Sequence, residues 1–277
     1  MLDDQTLVTI VLLGTGATVG FACGLLGVGG GFLMVPVQIW ALTYQGIDPT
    51  LATRIAFGTS LAVILPTAIS GCYGHSCRGV VLWRPGIIMG LARVAGAFLG
   101  GTIASHAPAD LLQMAFGLVV IMGALRMLFA RNLRPKADLR TGFLIYALSG
   151  AAVGVISGLT GIGGGVILVP VMVSVLGFSM LQAVGTSSLA IAFNAVGGTL
   201  AYAINGLHVE GLPPSSIGYI DLMQFVLLAS TSVLGAQLGV RVAHKLPGEQ
   251  LRYIFIALMM YVGLKMIGFL SWMGLSF

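Results

Sequence analysis

Charge is what this 277-residue chain has least of: Asp and Glu number 8, Lys and Arg 13, and charged residues make up 8% of the sequence. So little polar surface cannot coat a soluble globule of this length. With 57% hydrophobic residues and a mean hydropathy of +1.03, the composition is that of an integral membrane protein. Cysteine is scarce too. Cys23, Cys72 and Cys77 form no set with metal-ligand spacing, and Cys72-x4-Cys77 alone argues for neither zinc nor a disulfide, so they read as ordinary thiols. There is no His-Glu-x-x-His, no nucleophile elbow and no pair of acids within an apolar run, which argues against an enzyme, a metal centre or a cofactor. The net charge of +5 reads as basic cytoplasmic loops rather than a nucleic-acid surface. Met1-Leu2-Asp3-Asp4 has no positive n-region, so the first apolar segment reads as retained rather than cleaved.

What the chain has instead is 41 glycines, and one glycine-rich stretch occurs twice. Residues 20–37 read G-F-A-C-G-L-L-G-V-G-G-G-F-L-M-V-P-V and residues 154–171 read G-V-I-S-G-L-T-G-I-G-G-G-V-I-L-V-P-V, identical at ten of 18 positions. The register continues: Gly58-Thr59-Ser60 matches Gly185-Thr186-Ser187, Gly96-Ala97-x-Leu99-Gly100 matches Gly235-Ala236-x-Leu238-Gly239, and Leu125-Arg126-Met127 matches Leu264-Lys265-Met266. This is a duplicated unit about half the chain long.

Apolar runs of about 20 residues suit helices across a roughly 30 Å hydrocarbon core, not the alternation of a barrel. The first half reads as Leu7 to Ala41, interrupted by glycines, then Leu51 to Ser70, Pro85 to Ser105 and Leu111 to Phe129. The second reads as Thr141 to Ser157, Val166 to Val175, Leu181 to Ile204, Ile220 to Val242 and Leu251 to Trp272. The expected fold is all-α and integral to the membrane: two repeats, 1–130 and 141–277, of about five hydrophobic segments each, joined by a polar connector at 131–140. An odd number of segments inverts the second repeat. With the amino terminus outside, ten of the 13 basic residues fall on the cytoplasmic side, with the connector. The membrane would be the plasma or inner membrane. Trp40, Trp83 and Trp272 lie near span ends and read as interfacial anchors.

A Gly-Val-Gly-Gly-Gly run makes poor helix, since each Gly costs about 1 kcal/mol relative to Ala, and bare backbone at membrane depth needs protein or a wet cavity around it. The expectation is therefore a broken, re-entrant-like helix pair in each half, with Gly29, Gly30 and Gly31 at one tip and Gly163, Gly164 and Gly165 at the other. Half-helices opening at Phe32 and Val166 would point N–H groups into a central cavity and favour an anion. Scattered glycines such as Gly14, Gly16, Gly117 and Gly123 read as helix-packing positions.

The paired Gly-x-x-Gly-x-Gly-Gly-Gly-x-x-x-Val-Pro motifs, each followed by Gly-Thr-Ser, resemble those of the TauE/SafE-type permeases, the sulfite exporter family, over nearly the whole chain. The resemblance implies transport of a small sulfur-containing anion, sulfite or a sulfonate such as sulfoacetate.

Arg93 lies about nine residues into its span, and no mid-span acid is there to pair with it. A cation there costs roughly 2.5–3.5 kcal/mol on insertion scales, so it reads either as the counter-charge of a sulfonate or as a cap on carbonyls at a broken helix. Thr59, Ser60, Thr186, Ser187 and Ser188 could donate to an oxyanion or back-bond to their own helices. Asn194, deeper in its span, reads as a site residue or an interhelical link, and Gln38 and Gln182 lie nearer span ends. His75, His106, His208 and His244 fall in or beside expected loops and read as solvated. Without mid-span Asp or Glu, coupling to a cation, proton or sodium, would use unwound carbonyls, or there would be no coupling. The sequence reading is thus an alternating-access anion carrier in the bilayer, with a passive anion channel and a divalent-metal permease as alternatives.

Overall fold

The computed structural model describes residues 4–129, 142–174, 176–245 and 248–268. The connector at 131–140 and Trp272 lie outside these. The first half forms α1 (Asp4–Leu26), α2 (Gly31–Tyr44), α3 (Pro49–Ser76), α4 (Trp83–His106) and α5 (Ala109–Phe129). The second forms α6 (Phe143–Thr160), α7 (Gly165–Ser174) and α8 (Met180–Asn205), a two-stranded hairpin of β1 (Ser216–Ile217) and β2 (Ile220–Asp221), then α9 (Leu222–Ala243) and α10 (Gly248–Met266). The chain is an all-α, multi-pass membrane protein. Seven of the described helices are long and apolar enough to cross a bilayer; α2 and α7, of 14 and 10 residues, are not among them.

Three boundaries differ from the sequence reading. The first segment begins earlier than the expected Leu7: α1 starts at Asp4, and its 22-residue span from Gln5 is about 33 Å long at 1.5 Å per residue. α3 continues to Ser76, because the Gly71-Cys72 and Gly74-His75 pairs that suggested a loop are buried against neighbouring helices. Ile220 belongs to β2, where the β1–β2 turn uses Gly218 at φ 56°.

Helix starts follow local chemistry. Asp48 Oδ1 accepts from Thr50 N and Leu51 N ahead of Pro49, whose missing N–H suits a first helical position. Ser179 and Gln182 form a reciprocal capping box at α8.

The bundle is held by glycine crossings, where a side chain would collide with the neighbouring backbone. Gly16, Gly20 and Gly24 of α1 face Leu228, Ser232 and Ala236 of α9, and Gly150, Gly154 and Gly158 of α6 face Met89, Arg93 and Ala97 of α4. In each pair the numbers rise together, so the helices are parallel. Along α3 and α8 they run oppositely: Gly58 meets Tyr202, Leu61 meets Gly198, and Gly71 meets Ser188. Each half thus lends its first helix to the fourth helix of the other half, and the two third helices cross antiparallel. Close backbone approach is what small residues supply where lipid gives no hydrophobic drive to helix association.

Candidate functional site

α1 and α2 form a hairpin: Gln5 and Val8 at its start line one depression with Tyr44 and Gln45 at its end. α6 and α7 do the same, with the Tyr146 ring 6.3 Å from that of Phe178. At the tips Gly27, Gly29 and Gly30 take φ of 63°, 85° and 75°, and Gly161, Gly163 and Gly164 take 65°, 83° and 67°. Only glycine holds such left-handed backbone without strain.

The two tips meet. A Cβ on Gly29 would lie 3.6 Å from Gly163 Cα, one on Gly31 would be 2.5 Å from the Gly161 oxygen, and one on Gly165 would be 2.5 Å from Val28 Cα. Phe32 and Val166, where α2 and α7 begin, are buried. The N–H ends expected to face a wet cavity are packed in protein in this conformation.

The Gly-Thr-Ser triplets fasten the tips and the helix starts. Ser60 Oγ donates to Gly161 O at 2.8 Å and Ser187 Oγ to Gly27 O at 2.7 Å, each sharing its one proton with a carbonyl of its own helix, Phe57 O and Val184 O at 2.9 Å, so each half's third helix holds the other half's tip. Thr59 Oγ1 accepts from Asp221 N at 2.9 Å, and Thr186 Oγ1 from Leu82 N at 3.0 Å, just ahead of α9 and α4. Ser188 bonds back to Val184 O.

Arg93 is fully buried on α4 at the second tip. Its Nη2 donates to Gly163 O at 2.6 Å and its Nε to Asn194 Oδ1 at 3.3 Å, while Asn194 Nδ2 donates to Ser157 Oγ at 2.7 Å. Nη1 is buried with no partner. Arg93, Asn194, Ser157 and Gly163 therefore form one polar node. Ser157 was missed in the sequence reading, although the aligned motifs put it opposite Cys23.

The same registers locate the counterpart of this node in the other half: Ser232 for Arg93, Thr67 for Asn194 and Cys23 for Ser157. There Thr67 and Ser232 share a hydroxyl hydrogen bond of 2.6 Å, and Cys23 is a buried free thiol. Two otherwise matching halves diverge at this point, one carrying a buried cation and the other only neutral groups.

Other polar residues moved from their sequence assignments. His75 is buried, not solvated: its Nε2 lies 2.9 Å from Gly24 O, and its ring is 5.7 Å from that of His244. A carbonyl only accepts, so Nε2 carries the proton. His244 Nε2 is also buried without a partner, so neither ring is the free loop group expected: α3 continues past Ser70 and encloses His75, and His244, just past α9, packs beside it. Gln38, expected near a span end, is fully buried with both amide atoms unpartnered. Trp40 and Trp83 are exposed, as anchors require. Among the described residues no three metal-ligating side chains gather.

Among the described residues the exposed charges separate by end, with half-buried Arg54, on Ala107 O and Tyr219 Oη, the basic group at the acidic end. Arg78 after α3, Arg84 at the start of α4, and Arg241 and Lys245 at the end of α9 are exposed at the end where His75 meets His244. Asp48, Asp110 and Glu210 are exposed at the other.

Comparison with known proteins agrees with this architecture. A family model described as "Sulfite exporter TauE/SafE" matches residues 12–266. A "probable membrane transporter protein" of Xylella fastidiosa (strain Temecula1) is 30% identical over 96% of this chain and 97% of its own. One of Haemophilus influenzae is 28% identical over 94% and 98%, and one of Methanocaldococcus jannaschii 26% over 93% and 94%. No solved structure matches.

Proposed function

The chain belongs to the TauE/SafE sulfite exporter family, and from that premise we propose that it carries a small sulfur-containing anion, sulfite or an organosulfonate such as sulfoacetate, at a site built on Arg93. The observation that carries this reading is the buried Nη1 of Arg93, an ionised donor with no partner beside the carbonyl of a glycine tip. A buried unpaired charge is costly, and guanidinium matches the oxygen geometry of a sulfonate, which it can grip through two parallel N–H donors.

An incoming oxyanion takes Nη1 directly and competes with Gly163 O for Nη2. Asn194 Nδ2 and the Ser157 hydroxyl stand next to it as neutral donors. Releasing the Gly163 carbonyl frees the second tip from α4, and that release is the step that lets the site change sides. Gly29 and Gly31 pack against this tip, and they move with it, as do Gly30, Gly164 and Gly165. Ser60, Ser187, Thr59 and Thr186 act as fasteners that position the tips rather than as ligands.

Alternating access by rocking of inverted repeats suits this arrangement. It is supported by the antiparallel crossing of α3 and α8 and by the exchange of first helices between halves. Mutual packing of Gly29 and Gly163 supports a carrier over an open pore. By the positive-inside rule the end bearing Arg78, Arg84, Arg241 and Lys245 is cytoplasmic, which puts the amino terminus outside.

The test is saturable uptake of labelled sulfite and sulfoacetate into proteoliposomes, with Arg93→Gln in parallel and thermal unfolding to confirm folding. Wild-type uptake reduced at least about tenfold in a folded variant supports the reading; one lost charged hydrogen bond is worth about that factor or more. Undiminished uptake in Arg93→Gln removes Arg93 from the site. Uptake of divalent metal or a neutral solute, with none of either anion, overturns the substrate class.

A further inference from the structure

A second polar site lies far from Arg93, at the end of the bundle that carries the acidic residues. A cavity of about 160 Å³ opens there between both ends of the first hairpin, the loop at 213–215 and the start of α9. Its polar lining is Gln5, Thr9, Gln45, Ser215, Asp221 and Gln224, and none of its lining side chains is basic. Asp221 is buried, whereas Asp48, Asp110 and Glu210 are exposed.

Asp221 has a structural duty that uses half of it. Its Oδ1 accepts from Met223 N, Gln224 N and the Ser215 hydroxyl, which caps α9. All three bonds fall on Oδ1, so Oδ2 is the oxygen left for a ligand. An N-cap needs no net charge, since Asn serves as well as Asp; the carboxylate is more than the cap requires.

Gln224 gives an independent reason. It stands three residues after the cap, where a Gln side chain normally reaches back to the N–H of the cap residue. Gln182 does this at α8, bonding Ser179 N. At α9 the corresponding donor, Asp221 N, is already taken by Thr59 Oγ1 at 2.9 Å. Gln224 is thereby left buried with both Oε1 and Nε2 unpartnered, at the wall of the cavity. Burying such an amide without a partner is unfavourable by about 1–3 kcal/mol per group, and a cation coordinated by Oε1 removes the acceptor's share of that deficit while Nε2 stays free for a water or anion.

We propose that this cavity binds a single monovalent hard cation of sodium type. Asp221 Oδ2 and Gln224 Oε1 are its anchoring oxygens, and the hydroxyl and amide oxygens of Ser215, Thr9, Gln5 and Gln45 are available to complete an all-oxygen shell. Hard oxygen donors select alkali and alkaline-earth ions over zinc or copper, and one carboxylate balances one positive charge where calcium sites generally gather several. The start of α9 contributes roughly half a positive charge, which the full charge of the Asp221 cap outweighs. The cation bridges the first hairpin to α9 and, through Asp221 N and Thr59, to α3. In the carrier reading above this bridge is where cation binding and hairpin movement are coupled; the binding itself stands apart from that reading.

Thermal unfolding of the purified full-length protein decides the matter, in sodium, potassium, calcium or choline chloride at constant ionic strength. Sodium is expected to raise the unfolding midpoint saturably by a few degrees, and choline to leave it unchanged. Asp221→Asn, which keeps the cap, should abolish the sodium shift. Gln224→Met, which keeps the volume and lies clear of the cap, should raise the half-saturating sodium concentration about tenfold or more, and it keeps the test decisive if Asp221→Asn does not fold. An equal shift with choline, no saturable sodium shift, or a shift retained in both variants overturns the site. A shift with calcium alone overturns the monovalent assignment. Anion uptake is not needed for any of these outcomes, so a failure here is separable from a failure of the Arg93 site.

Discussion

Arg93 Nη2 donates to the carbonyl oxygen of Gly163 at 2.6 Å, joining the middle of α4 to the tip of a hairpin 70 residues away. The guanidinium thereby does two things at once. It satisfies a carbonyl that the left-handed glycine backbone leaves without a helical partner, and it keeps Nη1 in reserve.

Arg93→Lys should therefore fail as a conservative change. One ammonium cannot reproduce the planar fork that spans Gly163 O and Asn194 Oδ1. On the proposed function, sulfonate binding, read by the thermal shift with added sulfoacetate, is expected to fall about tenfold or more while the protein stays folded; equal shifts in the variant and the wild type would show that charge alone suffices.

Ser187→Ala removes the donor to Gly27 O, and Ser60→Ala its counterpart to Gly161 O. Each leaves a buried carbonyl short of a partner, a loss of about 1–3 kcal/mol. Because the two tips touch, the double variant should depart from the sum of the single losses by about 0.5 kcal/mol or more. Chemical denaturation of the set measures this, and strict additivity would mean that the tips behave independently.

Gly165→Ala puts a methyl group 2.5 Å from Val28 Cα and forces the hairpins apart. It should cut the yield of monodisperse protein severely. Gly14→Ala is the control, with nothing within 4 Å of the new Cβ; it should be neutral or stabilise by up to about 1 kcal/mol through helix propensity.

His244 sits just past α9, and burial of its ring together with the nearby Arg78 charge lowers its pKa below the usual 6.5. The fold therefore favours the neutral ring. That contribution is fully present above pH 6.5 and is lost as pH falls through the lowered value, where the unfolded chain binds the extra proton. Thermal stability should decline on acidification below 6.5, and His244→Gln should flatten the decline; an unchanged profile in the variant would assign the effect elsewhere.

Much of this architecture was legible in the chain itself. Low charge and long apolar runs demand a membrane, because neither can be reconciled with a soluble surface. The repeated glycine stretch marks where helices must break, since three successive glycines hold neither helix nor side-chain packing, and α2 and α7 begin at Gly31 and Gly165, each one residue before the expected start. Arg93 stood out because a lone cation at mid-span has to be housed.

What the sequence could not determine was who meets whom. That Ser60 holds Gly161 while Ser187 holds Gly27, that α1 packs on α9 and α6 on α4, and that His75 is sealed under Gly24 and Gly185 all depend on contacts between residues more than 50 positions apart. Local pattern carries no information about such pairings. Nor could it reveal that Thr59 takes the N–H which Gln224 would otherwise bond, leaving that amide free at the cavity wall. The sequence by itself determined the solvent, the repeated glycine motif and the break points, because hydrophobicity and glycine backbone freedom act locally. The tertiary structure alone decided which hydroxyl, amide or guanidinium is spent on the fold and which is left for a ligand, because every donor has one position and the competition for it is settled only when the helices meet.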